Sequence, residues 1–324
     1  MKRIGLIAAA LTLALATSAA AQKVRIGYWS SGVSLGFGSI LENGKFMEKE
    51  GLEVEYSKFP DVNAPTKAMA AGAIDFAIGA SAGTSFSVIT DGLPLSIILA
   101  TQVADLDFVV MEDSPIKSLS ELKGKKIGMS PSGSATAAIT AAILDANYGI
   151  KPSDFTTVPG NDPRLAQFLV QKDIDAAALR TVTIALLPDV KLRKLGTFRE
   201  EWKKITKQDA PPVLGVGLIR NDWMSANPDG AAKIVVAMRK AYEFGKTDKA
   251  AVAKALIESA NIKADDARAY AALWDGIYTV SMEPADVASL KAEFEVFKSV
   301  GAVKGTLPDS GLVTAPYEKS KTMK

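Results

Sequence analysis

Histidine and cysteine are both absent from this 324-residue chain. Without cysteine there is no disulfide framework and no thiolate to attack a substrate or hold a soft metal. Without histidine there is no imidazole for zinc, and no base of the kind that activates serine in a Ser-His-Asp hydrolase. Clustered carboxylates that could replace those ligands do not stand out, so no cofactor or metal is expected. Aromatic residues make up only 7%, and 38 Lys and Arg stand against 36 Asp and Glu. Removing the first 21 residues takes Lys2 and Arg3 and no acid, leaving 36 of each sign. A neutral chain with no basic stripe offers nothing to nucleic acid or to an anionic membrane.

A membrane-spanning run is missing as well. The apolar stretch Ile4 to Ala16 follows Lys2 and Arg3, is too short to span, and leads to Ala19-Ala20-Ala21, an A-x-A cleavage site. Residues 1–21 therefore read as a secretory signal peptide cut after Ala21. The expected product is a chain of 303 residues, large enough to bury a core without disulfides. With no cysteine at the cleavage site to carry lipid, it is expected free in the periplasm.

What is present is a repeat. Lys23-Val24-Arg25-Ile26-Gly27-Tyr28 is followed, 48 residues on from Ile26, by Ile74-Asp75-Phe76-Ala77; Lys125-Lys126-Ile127-Gly128-Met129-Ser130 is followed, 47 residues on from Ile127, by Ile174-Asp175-Ala176-Ala177. Strands are expected over 24–29, 52–59, 74–78, 95–100, 108–111, 126–129, 155–158, 174–179 and 213–219. Helical sequence fills the gaps, at 38–50, 64–71, 136–148 and 163–171, so strands and helices alternate as βαβ units require. Beyond Asn227-Pro228 the pattern turns helical, over 231–244, 249–259, 264–278 and 284–300, and reads as a tail covering one lobe. The expected class is α/β with two lobes, each a mostly parallel sheet flanked by helices, and a ligand cleft between them. The first lobe takes residues 22–103 and the return segment 214–324; the second takes 104–213, with two crossovers forming a hinge.

Ligands of open α/β sheets lie at the carboxyl ends of parallel strands, which selects the candidate site residues. Tyr28, Trp29, Ser30 and Ser31 follow the first strand. Gly79-Ala80-Ser81-Ala82-Gly83 matches G-x-S-x-G after a strand, the setting of a nucleophile elbow. An exported hydrolase using Ser81 is thus the rival reading, although its base is missing; the other reading has Ser81 and Thr84 offering hydroxyls to a ligand. Ser132, Ser134 and Thr136 sit where a strand leads into an Ala-rich helix, whose first N–H groups could hold an anion or simply be capped. Asn161 or Asp162 caps the next helix ahead of Pro163. Arg180, followed by Thr181, occupies the strand end that Ala80-Ser81 occupies in the first half; its guanidinium could grip a carboxylate or sulfonate, or form a salt bridge. Asp105 and Asp107 read as solvated surface.

Ile26-Gly27-Tyr28, Ala70 to Ala77, Ser114-Pro115-Ile116-Lys117 through Gly124-Lys125-Lys126-Ile127, and Asp173-Ile174-Asp175-Ala176 resemble periplasmic substrate-binding proteins of ABC importers. The similarity is to the group holding the aliphatic sulfonate, taurine and nitrate binding proteins and the thiamine-pyrimidine-precursor, or NMT1-like, proteins. The resemblance implies a type II periplasmic-binding-protein fold: a monomeric receptor that closes on a small solute and delivers it to a permease and its ATPase, without turnover. A sensor using the same fold is a further alternative. The family's ligand loops fall on Tyr28 to Ser31, Ser81 to Thr84, Ser132 to Thr136, Asn161 to Asp162 and Arg180 to Thr181. Sulfonate binders often carry a Trp and an acidic residue where this chain has Ala177-Ala178-Leu179-Arg180-Thr181, a change that favours an anion, sulfonate or carboxylate. An enzyme of the thiamine-precursor branch depends on histidine and iron, and this chain has no histidine.

Overall fold

Each half of the repeat builds its own sheet in the computed structural model, which describes residues 22–323; the expected signal peptide, 1–21, lies outside the described residues. The chain begins with β1 (Gln22–Trp29), α1 (Gly32–Asn43), α2 (Phe46–Lys49), β2 (Leu52–Phe59), α3 (Ala64–Ala70), β3 (Phe76–Ser81), α4 (Ala82–Thr90) and β4 (Leu95–Val103). It crosses over to β5 (Leu106–Met111), β6 (Lys126–Met129), α5 (Ala135–Tyr148), β7 (Thr156–Pro159), α6 (Asp162–Val170), β8 (Ala176–Arg180), α7 (Thr181–Ala185), β9 (Leu192–Thr197) and α8 (Phe198–Thr206). It returns through β10 (Val213–Arg220) and continues with α9 (Asn221–Ala226), α10 (Pro228–Thr247), α11 (Lys249–Ala260), α12 (Ala264–Ala272) and α13 (Trp274–Ile277). The last elements are β11 (Tyr278–Ser281), α14 (Pro284–Ser299) and α15 (Ala315–Ser320).

The sheet orders are β11-β4-β10-β3-β1-β2 and β7-β6-β8-β5-β9. Four of six strands in the first sheet, and four of five in the second, run one way. Crossover strands β10 and β5 are inserted antiparallel between them, so both sheets are mixed where mostly parallel ones were expected: three of the five pairings in the first and two of the four in the second are antiparallel. The carboxyl ends of β1 and β3 therefore gather at one edge, as do those of β6 and β8.

The repeat has a physical cause. Ile26 pairs with Phe76 and Ile127 with Ala176. In each lobe an aspartate one residue before the inner strand accepts the backbone N–H one residue before that isoleucine: Arg25 N to Asp75 Oδ2 at 3.0 Å, and Lys126 N to Asp175 Oδ2 at 2.8 Å. Gly27 and Gly128 are equivalent too. A Cβ on Gly27 would come 2.6 Å from Ile74 Cδ1, and one on Gly128 would come 2.5 Å from Ile174 Cδ1. The Ile-Gly and Ile-Asp pairs of the sequence are thus one packing unit used twice.

Several elements depart from expectation. The helix expected over 38–50 begins earlier, at Gly32, and breaks at Gly44 and Lys45, whose φ of 48° is left-handed. The helix expected to run to Tyr278 ends sooner, because Tyr278 joins β11 and pairs with Gln102 of β4. β9, Leu192-Arg193-Lys194-Leu195-Gly196-Thr197, was not expected: it is an edge strand whose charges suit an unpaired edge and hide its period. The tail covers the first lobe, where Trp274 stacks on Phe37 of α1 with centroids 5.5 Å apart. It also touches the second, α14 meeting α5 and α12 meeting α7.

The two crossovers run side by side, Ala104 N donating to Pro212 O at 2.8 Å. Asp105 and Asp107 are structural rather than solvated. The Asp105 carboxylate accepts the Thr181 hydroxyl, and Asp107 is buried against Lys194 Nζ at 2.6 Å. Beneath the return crossover, buried Glu293 of α14 accepts the Val213 N–H at 2.7 Å, and its Oε1 has no partner.

Candidate functional site

The strand ends and the first turns of α1, α4 and α5 converge between the lobes. Trp29 closes β1 and is buried, its indole N–H donating to Pro60 O at 3.3 Å. Side chains alternate along a strand, so Tyr28 points the other way. It is fully buried beside Gly38 of α1, its hydroxyl unpartnered, and it belongs to the first lobe's core rather than to the cleft.

Arg180 ends β8 and is 2% exposed. It pairs within its own lobe with Asp162, 1% exposed. The same carboxylate accepts the Arg180 backbone N–H at 3.0 Å and the Thr183 hydroxyl at 2.9 Å. The guanidinium lies over the Trp29 ring of the opposite lobe, 5.0 Å from its centroid, and Arg180 Nε is buried without a partner among the described residues. Of the two roles weighed for Arg180, the structure shows the salt bridge, buried rather than on the surface, while the side chain also lines the space between the lobes. Asp162 lies inside the first turn of α6 as this counter-charge. The cap of α6 is Asn161, whose side chain accepts the Arg164 N–H at 3.1 Å.

Two spaces meet at Trp29. An inner cavity of about 10 Å³ lies among Ser34, Ser81, Gln102, Thr136, Arg180 and Leu214, room for about one water. Thr136 Oγ1 is buried there with no partner. An outer cleft of about 260 Å³ is bounded by Trp29, Pro60, Asp61, Pro131, Asn161 and Arg164. Gln102 donates to Ser34 Oγ at 3.1 Å. Ser34 in turn rides on the first turn of α1, which Tyr270 secures by accepting the Gly36 N–H at 3.2 Å and donating to Gly32 O at 2.9 Å. Burial pushes the Tyr270 phenol up, so it stays a neutral donor.

Of the expected residues, the structure brings Trp29, Ser81, Ser134, Thr136 and Arg180 to the inner cavity and Asn161 to the outer cleft. The others fall elsewhere. Ser134 is also the cap of α5, accepting the Ala137 N–H at 3.3 Å. Ser30 donates to Phe59 O at 2.9 Å on the exposed rim, and Ser31 precedes α1 without a side-chain cap bond. Ser132 is exposed and contributes only its carbonyl, to Asn63 Nδ2 at 3.3 Å. Thr181 turns to Asp105 at the crossover. Ser81 Oγ accepts the Ala135 N–H at 2.8 Å; among the described residues no carboxylate or amine is hydrogen-bonded to it, so it lacks the base a hydrolase needs. Asn63, Ser34 and Gln102 were missed. A glutamine inside the apolar run Leu95–Val103 is the kind of buried polar residue that could have signalled the site.

The fold as a whole is like that of known proteins. The alkanesulfonate-binding protein SsuA from Xanthomonas axonopodis pv. citri, bound to MOPS, superposes with a TM-score of 0.75 at 17% identity, covering 90% of this chain and 98% of that one. The periplasmic aliphatic sulphonate binding protein SsuA from Escherichia coli gives 0.74 at 17%, covering 90% and 92%. The desulfurization enzyme DSZB shares the fold at 0.62 and 12% identity, covering 93% and 99%. In sequence, a protein of Brucella abortus strain 2308 named as a binding protein is 25% identical over 259 residues, 75% of this chain and 74% of its own length. A protein of Haemophilus influenzae named for thiamine biosynthesis is 38% identical over 95 residues, 29% of this chain and 30% of its own. The NMT1/THI5-like family model matches residues 42–252, and the chain belongs to that family.

Proposed function

We propose that the protein is the solute-binding receptor of an ABC importer, exported to the periplasm after cleavage behind Ala21. It closes two lobes, 22–103 with 214–324 and 104–213, on a small anionic organic solute and passes it to a permease and its ATPase. The observation that carries the reading is a pair of buried donors without partners, Arg180 Nε and Thr136 Oγ1, at one cavity between the lobes. Other buried polar atoms among the described residues also lack partners, and what sets these two apart is that their residues line one cavity between the lobes, where an acceptor oxygen of a solute would complete both. Asp162 already offsets the Arg180 charge. Recognition of a sulfonate or carboxylate then rests on directed N–H and O–H donors and on the positive ends of the first turns of α1, α4 and α5. Trp29 and Asn161 would meet the organic part in the outer cleft.

Binding without turnover is supported by the lack of histidine and cysteine and by the backbone N–H that occupies Ser81 Oγ. A monomer serves this role, since both walls of the cleft come from one chain.

Thermal unfolding of residues 22–324 against sulfonates, carboxylates, nitrate, pyrimidines and amino acids tests the proposal. A ligand at about 100 times its Kd stabilises by about 2.7 kcal/mol, which raises the Tm of a chain this size by a few degrees. A shift confined to anions supports the reading. No shift after unfolding and refolding to strip any carried ligand would overturn it.

A further inference from the structure

The residues around Ser81 do something for the site other than touch a solute. Three groups of the first lobe reach across the cleft, and each meets only main chain of segment 132–135 in the second. Ser81 Oγ accepts the Ala135 N–H at 2.8 Å. The Thr84 hydroxyl lies 2.9 Å from Gly133 O and 2.7 Å from Asn63 Oδ1, so its single proton is shared between the two. Asn63 Nδ2 donates to Ser132 O at 3.3 Å. Gly83 makes the approach possible: a Cβ there would come 2.8 Å from Gly133 O and 3.2 Å from Ala135 N. Those are backbone atoms of the opposite lobe and cannot rotate aside.

We infer that Ser81, Thr84, Asn63 and Gly83 form a clasp that closes the lobes on each other by capping the first turn of α5 from across the cleft. They are positioning residues for solute capture and not solute contacts. The Ala135 N–H is one of the orphan donors every helix start carries. Ser134, the helix's own cap, serves Ala137 instead, so with the lobes together the Ala135 donor is met by Ser81, and with the lobes apart it is met by water. Such an exchange contributes a modest preference for closure, about fivefold in the closed-to-open ratio per hydrogen bond. Because the clasp reads only main chain, it acts whatever solute lies between the lobes. The glycines of Gly79-Ala80-Ser81-Ala82-Gly83 acquire a reason without catalysis: Gly79 takes a left-handed φ of 62° beside Gln102, and Gly83 admits the opposite backbone.

The inference needs the two-lobed fold but no particular solute, so its test is independent of the solute panel. The chain has no cysteine, so labels can be placed at Glu48→Cys and Ser153→Cys, exposed positions on opposite lobes, and their separation distribution measured by pulsed electron spin resonance without added ligand. A short-separation population is expected in the parent. It should be lost in Gly83→Ala, and the ratio of short to long separations should fall about fivefold in Ser81→Ala and in Thr84→Val, while Thr84→Ser, which keeps the hydroxyl, should retain it. The Tm of each variant reports whether the fold itself was harmed, and Thr84→Val stands as the test should Gly83→Ala misfold. Distributions that match the parent in both Gly83→Ala and Thr84→Val would overturn the clasp.

Discussion

At equivalent strand ends the two lobes carry opposite kinds of group. β3 ends in Ser81, a small neutral hydroxyl spent on the other lobe's main chain, and β8 ends in Arg180, a charge held within its own lobe by Asp162 and laid across to Trp29. The scaffolds beneath are alike: both have the Ile-Gly strand, the Asp one residue before the inner strand, and the same backbone bond between them. Repetition of the scaffold therefore brings two like strand ends to the candidate site, while the residue that closes each strand sets the contacts made there. The lobes also differ in how tightly the shared unit is tied. Asp75 accepts the Arg25 backbone N–H and two guanidinium bonds, at 2.9 and 2.6 Å, whereas Asp175, among the described residues, accepts only the backbone N–H of Lys126.

The largest expected effect breaks the second lobe's strand end. Arg180→Ala strands the buried Asp162 carboxylate, and removing one partner of a buried pair costs about 3–5 kcal/mol. Urea unfolding should show that loss, and Arg180→Met with Asp162→Asn, which removes the charge but keeps an acceptor for the Arg180 N–H and the Thr183 hydroxyl, should recover much of it. Ser81→Ala, at the last residue of β3 and one step beyond the register equivalent of Arg180, should leave urea stability within about 1 kcal/mol. Equal losses at Arg180 and Ser81 would contradict the contrast drawn between the two strand ends.

A smaller difference is expected lower in the same strands. Asp75→Ala should cost about 2 kcal/mol and Asp175→Ala about 1 kcal/mol, the extra loss coming from the half-exposed Arg25 contacts. Denaturation of the two variants side by side measures it, and Asp175→Ala proving the worse would reverse the ranking of the two ties.

Glu293, under the crossover that joins the lobes, gives a pH-dependent effect. Burial pushes its carboxyl well above 4.5, the Val213 N–H only partly opposing the shift. The folded state thus keeps a proton that the unfolded chain releases above about pH 4.5. Its contribution to stability is complete below that value and falls as pH rises towards the folded pKa. Glu293→Gln keeps the shape and cannot ionise, so its advantage over the parent should be negligible near pH 4 and should grow by at most about 1.4 kcal/mol per pH unit. A Tm difference that stays flat between pH 4 and 8 would refute this. The smallest effect belongs to surface pairs such as Lys23 with Glu53, both mostly exposed; Lys23→Ala should change stability by less than about 0.5 kcal/mol.

Part of the candidate site was legible because helix starts and strand ends announce themselves locally. Asn161 ahead of Asp162-Pro163 and Ser134 ahead of Ala135 are caps that sequence alone can nominate, and both are caps in the structure. Tyr28 and Trp29 show the limit. Alternation says that one of them faces the cleft, but choosing Trp29 needs the helix that covers the other face. Asp105 and Asp107 looked like surface because their partners, Thr181 and Lys194, are 76 and 87 residues away. β9 escaped notice because an edge strand need not alternate.

The sequence by itself determined the doubled α/β architecture and nominated loops at its strand ends, since apolar period, glycine and helix caps act over a few residues. It also determined which chemistry is missing, because histidine and cysteine are simply not there. Only the tertiary structure decided what each polar group is for: that Arg180 is already paired, that Ser81 serves a helix of the other lobe, and that Gln102 turns into the cavity. Those assignments depend on which group a donor or acceptor meets at about 3 Å, and partners that lie tens of residues apart in the chain are chosen by packing rather than by local pattern.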